Sequence, residues 1–440
     1  MQFIDMMIRN GKVLTMAPDN AVIERGAVAV SGDRIVEIGP EDVLDSQYQA
    51  RKVIDACGGI IMPGLINVHT HAAMTCFRGL ADDLPLMSWL EEHIFPAEAK
   101  LTPDIVYKGT LLACAEMILS GTTTFCDMYL YEDAVAQAVK RARMRAVVGE
   151  VLYDFPSPNY GPIEEGLKYT EALIDKWRDD PLIAIAVEPH SPYLCSPDLL
   201  RQAKAIADQN GALMVIHVSE SEQEVAQVKG KYDKTPVGHL AETGILSPNL
   251  VADHCVALTQ KDISLLKDFD VKVAHNPESN MKLASGIAPV PELLDNGIIV
   301  GIGTDGCASN NNLDLFQEMD TVAKLHKVHT SDPTVMDART VVRMATIDGA
   351  RVLGLEDHIG SLEPGKKADI IIIDTRRPHL IPMYNVYSHL VYAVSGHDVV
   401  TSIVNGQVLM ENRVLATLDV DNVMEDVNRI AQDIVGKTGS

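Results

Sequence analysis

Between Pro63 and about Gly360 the chain repeats one pattern, a short apolar stretch of strand length followed by a longer segment with helical periodicity. Such alternation builds a parallel sheet, because a strand that must lie beside its predecessor in the same direction needs a crossover, usually a helix. Eight strands can be read, at 65–71, 122–128, 145–152, 184–191, 213–220, 250–258, 271–278 and 298–306. Helical patterns separate them at 103–120, 132–143, 163–177, 197–210 and, as one long stretch, from 313 to about 354. Eight units of this kind predict an α/β fold, a (β/α)8 TIM-like barrel, with its functional side chains at the carboxyl ends of the strands.

The flanks follow a different rule. Residues 1–59 and 368 to about 415 contain alternating strands, with hairpin signals at Asn10-Gly11, Gly32-Asp33 and Asn405-Gly406. They predict a small discontinuous β-domain from residues 1–60 and 361–440, with a last helix over 419–434, and a catalytic barrel of residues 61–360 inserted between its halves.

Charge and cysteine content narrow the function classes. With 61 acidic against 37 basic side chains the formal charge is −24, a field that repels phosphate backbones, so nucleic acid is not expected as a partner. No uncharged apolar run approaches the ~20 residues that span a bilayer, and Asp5, Arg9 and Lys12 interrupt the amino-terminal pattern, so neither a membrane partner nor a signal peptide is expected. Seven cysteines without a CxxC pair read as reduced thiols in the cytoplasm.

The first strand ends in His69-Thr70-His71, and residues two apart on a strand share a face, so both imidazoles can enter the barrel mouth. Alone, such a pair is as often two hydrogen-bonded core histidines as a metal site. The fifth strand ends at His217 and the eighth at Asp305, however, and in a closed barrel all these ends meet. Three histidines and a carboxylate suit zinc, iron, cobalt, nickel or manganese rather than calcium or magnesium. One divalent metal per subunit is expected, since the fourth strand, Ala184 to His190, has no lysine to bridge a second ion; the donor set does not choose among these metals, and zinc is carried as the first expectation with iron as the second. Such a metal lowers the pKa of water from 15.7 to about 7, equivalent to roughly 12 kcal/mol in hydroxide availability.

Glu220, three residues beyond His217, is the candidate general acid and base; in isolation it would read as a solvated loop residue. His254 ends the sixth strand and can orient the nucleophile, its plainer alternative being a core histidine. Asp305 can both ligate and take a proton. His190 and His275, also at strand ends, suit substrate contact and support of the metal shell, whereas His326 and the remaining histidines suit surface or structural roles. Gly301 to Gly306 matches GxGxxG, but no acidic residue follows at dinucleotide spacing; the glycines serve instead to bring this strand end close to the metal.

The strings PGLINVHTHAAMTCFRGLADDLPLMSWLEEHIFPAE from Pro63, HVSE from His217, DHCVALT from Asp253 and GTDGCASNNNLDLFQEM from Gly303 carry a resemblance over nearly the whole chain. They resemble the amidohydrolase superfamily and, within it, the methylthioadenosine/S-adenosylhomocysteine deaminases. The resemblance implies that His69, His71, His217 and Asp305 bind the metal, that Glu220 protonates the purine ring, that His254 assists the nucleophile, and that Glu98 and His190 join Glu220 and Asp305 in contacting a nucleoside substrate. Hydroxide attack at C6 of adenine would then expel ammonia and leave an inosine derivative. It also implies a homo-oligomer. Without it, Glu98 reads as a solvated residue at a helix start. Glu150 stands where some members carry an arginine for the carboxylate of S-adenosylhomocysteine, and the loop 154–161 has no basic residue, so methylthioadenosine or adenosine is expected to be favoured. The alternatives are a guanine deaminase or triazine hydrolase of the same superfamily and, more remotely, a non-catalytic metal-stabilised binding protein.

Overall fold

A computed structural model describes residues 1–19, 21–84 and 88–436. Eight parallel strand positions form a barrel: Leu65–Thr70, Thr122–Tyr129, Arg145–Leu152, a fourth split into Ile183–Ile185 and Glu188–Pro189, then Met214–Val218, Leu250–His254, Lys272–His275 and Val300–Ile302. The first four pair with one another and the last four likewise. The halves are joined where Val187 bridges Met214, and the ring closes where the Thr304 and Asp305 amides donate to the His69 carbonyl. Every residue of Leu65–Thr70, Thr122–Tyr129 and Arg145–Leu152 is buried, as expected of strands covered on both faces.

Local chemistry sets the helix boundaries. Pro103–Ser120 starts on Thr102, whose hydroxyl accepts from the Ile105 amide, and ends on Gly121 in the left-handed region at φ 91°. The helices Ile163–Trp177 and Pro197–Asn210 have the expected bounds. The single helix expected over 313–354 is three, Leu315–Thr330, Ala338–Met344 and Ile347–Val352. Ser331 at φ 56° ends the first, and Asp337 caps the second by accepting from the Arg339 and Thr340 amides. The seventh and eighth strands are also shorter than expected, because Pro277–Lys282 turns helical directly after His275 and Asp305 takes a positive φ.

The two ends of the chain meet in one nine-stranded sheet in which Ile370–Ile373 pairs with Ile60–Pro63, itself beside Gln2–Leu14. Hairpins form at Gly32-Asp33 and Asn405-Gly406. Asn10-Gly11 does not turn the chain. Gln2–Leu14 runs through it as one strand with a bulge, Asn10 at φ 57° and Gly11 pressed so close to Ile61 that an added Cβ would lie 2.7 Å from Ile61 Cδ1. The last helix, Val420–Gly436, buries Val427, Ile430 and Ile434 in the same core as the barrel.

Candidate metal centre and active site

The candidate ligands gather at one end of the barrel. A ring nitrogen from each of His69, His71 and His217 lies within 4.8 Å of the others, and Asp305 Oδ1 is 3.2 Å from His71 Nε2 and 3.7 Å from His69 Nε2. The far side of each ring is occupied: His69 Nδ1 lies 3.0 Å from Asp253 Oδ2, His71 Nδ1 contacts the Met128 carbonyl, and His217 Nδ1 is 2.8 Å from the His190 carbonyl. Each imidazole therefore turns Nε2 toward the same space. His69 Nε2, fully buried, has no hydrogen-bond partner, a costly arrangement that a cation among these atoms would satisfy. The donor set fits a divalent metal.

Backbone geometry at the strand ends serves this convergence. Asp305 and His254 sit at φ 60° and 69°, conformations disfavoured for residues with a Cβ, and strain of this kind concentrates at functional sites. Gly303 has no room for a side chain: a Cβ would lie 2.3 Å from Asn276 Oδ1 and 2.9 Å from His69 Cβ. The free Asp305 oxygen accepts from Ser279 Oγ at 2.5 Å. His254 Nδ1 faces Asn280 Oδ1 at 2.8 Å, so this nitrogen carries the proton when the amide oxygen accepts.

Above the imidazoles opens a cleft with about 790 Å³ of open space. His71, Glu98, His190, His217, Glu220, His254 and Asp305 line it, and His69 lies buried beneath. Seven of the eight expected site residues thus border one cleft, and the eighth, His69, lies behind them against His71 and Asp305. Burial raises the Glu220 carboxyl above its ordinary range, with His254 pulling the other way. Burial also raises Glu98 to about 7 against the neighbouring Tyr129 and His71. His190 is driven down to about 3 by burial and by the imidazoles around it, so it is neutral.

Other residues stand apart from expectation. His275 does not reach the cleft; its Nε2 is 3.2 Å from that of His326, and both rings are buried. Its carbonyl accepts from the Gly303 amide. Glu150 also points elsewhere. Val151 lines the cleft, whereas the Glu150 side chain one residue earlier faces the opposite side of the strand, where its oxygens accept from the Glu132 amide at 2.9 Å and from Asn159 Nδ2 at 2.8 Å. It cannot repel a substrate from there. Strand alternation alone could have revealed this.

Several participants escaped the sequence. Asp253 is a fully buried carboxylate that follows three apolar residues in its strand, an anomaly that marks a partner for something charged or polar. Glu224 accepts from the Ser219 and Glu220 amides at 3.0 and 2.6 Å and so fixes the turn that carries Glu220. The cleft's aromatic wall of Phe95, Tyr153 and Phe155 is drawn from two separate segments and left no local signal.

The chain belongs to the amidohydrolase family, whose model matches residues 60–409. It is 60% identical over 430 residues, 98% of each chain, to a 5-methylthioadenosine/S-adenosylhomocysteine deaminase of Syntrophobacter fumaroxidans. It is 47% identical over 438 residues, 99% of this chain and 100% of the relative, to a 5′-deoxyadenosine deaminase of Methanosarcina mazei. Among solved structures, an adenosine deaminase from Xanthomonas campestris with bound zinc superposes with a TM-score of 0.97 at 38% identity, covering 99% of each chain.

Proposed function

We infer that this protein hydrolyses the adenine ring of 5′-substituted adenosines, replacing the C6 amino group by oxygen and releasing ammonia. The observation that carries the reading is the joint presence, at one cleft, of a three-imidazole-plus-carboxylate cluster and two partly buried carboxyls with raised proton affinity. Similarity along the full chain to deaminases named for 5′-substituted adenosines supports it over guanine or triazine substrates.

The residues proposed to hold the metal are His69, His71, His217 and Asp305. Zinc is the ion we favour, on the nitrogen-rich donor set and the zinc in the Xanthomonas structure. When bound, the ion supplies the Lewis acidity that lets water be deprotonated near neutral pH. Asp305 is assigned to take the proton of the attacking water. His254, its Nδ1 held by Asn280, presents the other ring nitrogen to the attacking oxygen. Glu220 is assigned to protonate a ring nitrogen of the adenine, which moves negative charge off the ring as the carbon becomes tetrahedral. The proton taken from water then leaves with ammonia, and the remaining proton of the attacking oxygen is lost as the C6 carbonyl forms and makes good the one Glu220 gave, so atoms and charge balance. Glu98 is assigned to the ribose hydroxyls and the neutral His190 to the base.

The assigned division of labour places the barrel, residues 61–360, in charge of the chemistry and leaves the terminal sheet a structural role. No helix among the described residues is long and apolar enough to cross a membrane. Residence in the cytoplasm fits the seven free thiols. Light scattering after size exclusion tests the homo-oligomer that the resemblance implies.

The decisive assay is ammonia release from adenosine, 5′-methylthioadenosine, 5′-deoxyadenosine, guanine and a chlorotriazine. The reading predicts activity on the nucleosides, with Glu98→Ala losing most of it. Activity confined to guanine, or chloride release from the triazine, would replace it.

A further inference from the structure

The cleft's lining is of two characters. The charged and imidazole side chains that border it are all assigned above, and none is a lysine or arginine among the described residues. What remains is apolar. The Tyr153 and Phe155 rings stack with centroids 3.9 Å apart and planes at 15°, and Phe95 meets Phe155 edge-on at 6.4 Å. Tyr153 is 7% exposed and Phe155 is 40% exposed, so the stack runs from the interior to the mouth.

This wall adjoins Glu98. Phe95 precedes Glu98 by three residues in the helix Phe95–Glu98, which puts the two on one face, and Tyr153 is near enough for the Glu98 charge to act on its hydroxyl. A nucleoside with its base at the imidazoles and its ribose diol at Glu98 carries its 5′ carbon on the ring carbon across from the base. The wall left for that carbon is the aromatic one.

We propose that Phe95, Tyr153 and Phe155 form the subsite for the 5′ substituent and select an apolar one, methyl or methylthio, over the zwitterionic arm of S-adenosylhomocysteine. The proposal rests on the nucleoside-deaminase reading. A methyl or thioether leaving water for these rings gains apolar burial and sulfur–aromatic contact. A carboxylate in the same place loses hydration and meets no lysine or arginine among the described lining residues, while Glu98 beside it adds a like charge. The selectivity thus arises from the rings and from a lining without lysine or arginine among the described residues, rather than from Glu150, which faces away.

The test is kcat/KM for 5′-methylthioadenosine, 5′-deoxyadenosine, adenosine and S-adenosylhomocysteine with the metal-replete enzyme and its Phe155→Ala, Phe95→Ala and Phe155→Arg variants, each checked for an unchanged melting temperature. The wild type is expected to favour 5′-methylthioadenosine over S-adenosylhomocysteine by about tenfold or more. Either alanine variant is expected to lose more on 5′-methylthioadenosine than on adenosine, and Phe155→Arg to shift the ratio toward S-adenosylhomocysteine. Equal use of both substrates by the wild type, or a ratio that neither alanine variant moves, would overturn the subsite while leaving the deaminase reading intact. Failure to deaminate any nucleoside would overturn that reading and the subsite with it.

Discussion

Glu220 sits on a turn whose amides are held by Glu224, and its partly buried carboxyl lines the cleft with His254. A proton donor placed in this way is worth a factor of about 10²–10⁴. Glu220→Gln should therefore lower kcat by that order while the purified protein keeps its metal, as read by elemental analysis. A loss of metal in step with activity would move Glu220 from proton transfer to ligation. Asp253 should behave oppositely. It touches no part of the cleft but lies 3.0 Å from His69 Nδ1, so Asp253→Asn should weaken metal binding by about 10- to 100-fold in chelator competition. Unchanged affinity would leave the carboxylate without a role in orienting that ring. The histidine pair at 69 and 71 was legible because a two-residue spacing on a strand has one meaning at a barrel mouth. Glu98 was legible only by resemblance, since one glutamate at a helix end looks like any solvated one. Its burial comes from rings contributed by distant segments.

Strands three and four are fitted to each other more tightly than any sequence pattern announces. A Cβ on Gly149 would lie 2.4 Å from Glu188 Cδ and 2.8 Å from the Ala186 carbonyl, so strand four must move to admit even alanine. Gly149→Ala should cost about 1–3 kcal/mol in stability and also reduce activity, since His190 follows Glu188 by two residues. Calorimetry and turnover read the two effects, and a variant matching the wild type in both would refute the fit. Glu150, on the outer side of the same strand, gives a pH signature. Burial raises its carboxyl from 4.5 to about 7, against the Glu132 amide and Asn159. The folded protein then keeps a proton that the unfolded chain releases between those values, so this group makes stability fall as pH rises from about 4.5 to about 7, at no more than ~1.4 kcal/mol per pH unit. Glu150→Gln should remove that slope in urea melts, its advantage over the wild type growing up to about pH 7 and then levelling; parallel curves would contradict the assignment. The strands and four of the helices were readable from period and caps, and strand alternation carries the facing of Glu150 as well. A match to a family position carries no information about which face of the strand a residue occupies. The break after Thr330 did have a signal, Ser331-Asp332-Pro333 followed by the capping Asp337, which the long amphipathic pattern obscured.

The barrel closes through its own chemistry: the amides of Thr304 and Asp305 bond to the carbonyl of His69, joining the first and last strands at residues proposed as ligands. A metal held there ties together strands one, five and eight. Because a ligand that binds only the folded state stabilises it by mass action, stripping the metal with a chelator should lower the melting temperature as well as abolish turnover, and readdition should restore both. A melting temperature indifferent to metal would mean that the cluster is rigid without it. The terminal sheet reflects the same economy of connection, since a chain whose two ends pair beside each other leaves the middle as one uninterrupted barrel. That arrangement was visible in the change of hydrophobic period near residues 60 and 368, whereas the bulge at Asn10 was not, because Asn-Gly serves a turn and a bulge equally well.

The central claim is that this cleft replaces the adenine amino group with oxygen from water. Turnover of 5′-methylthioadenosine in oxygen-18 water, with the product analysed by mass spectrometry and ammonia measured alongside, tests it directly. The account predicts one heavy oxygen in the base of a methylthioinosine product for each ammonia released, and none with Glu220→Gln over the same interval. Cleavage of the nucleoside to free adenine, or no turnover by the metal-replete protein, would contradict it.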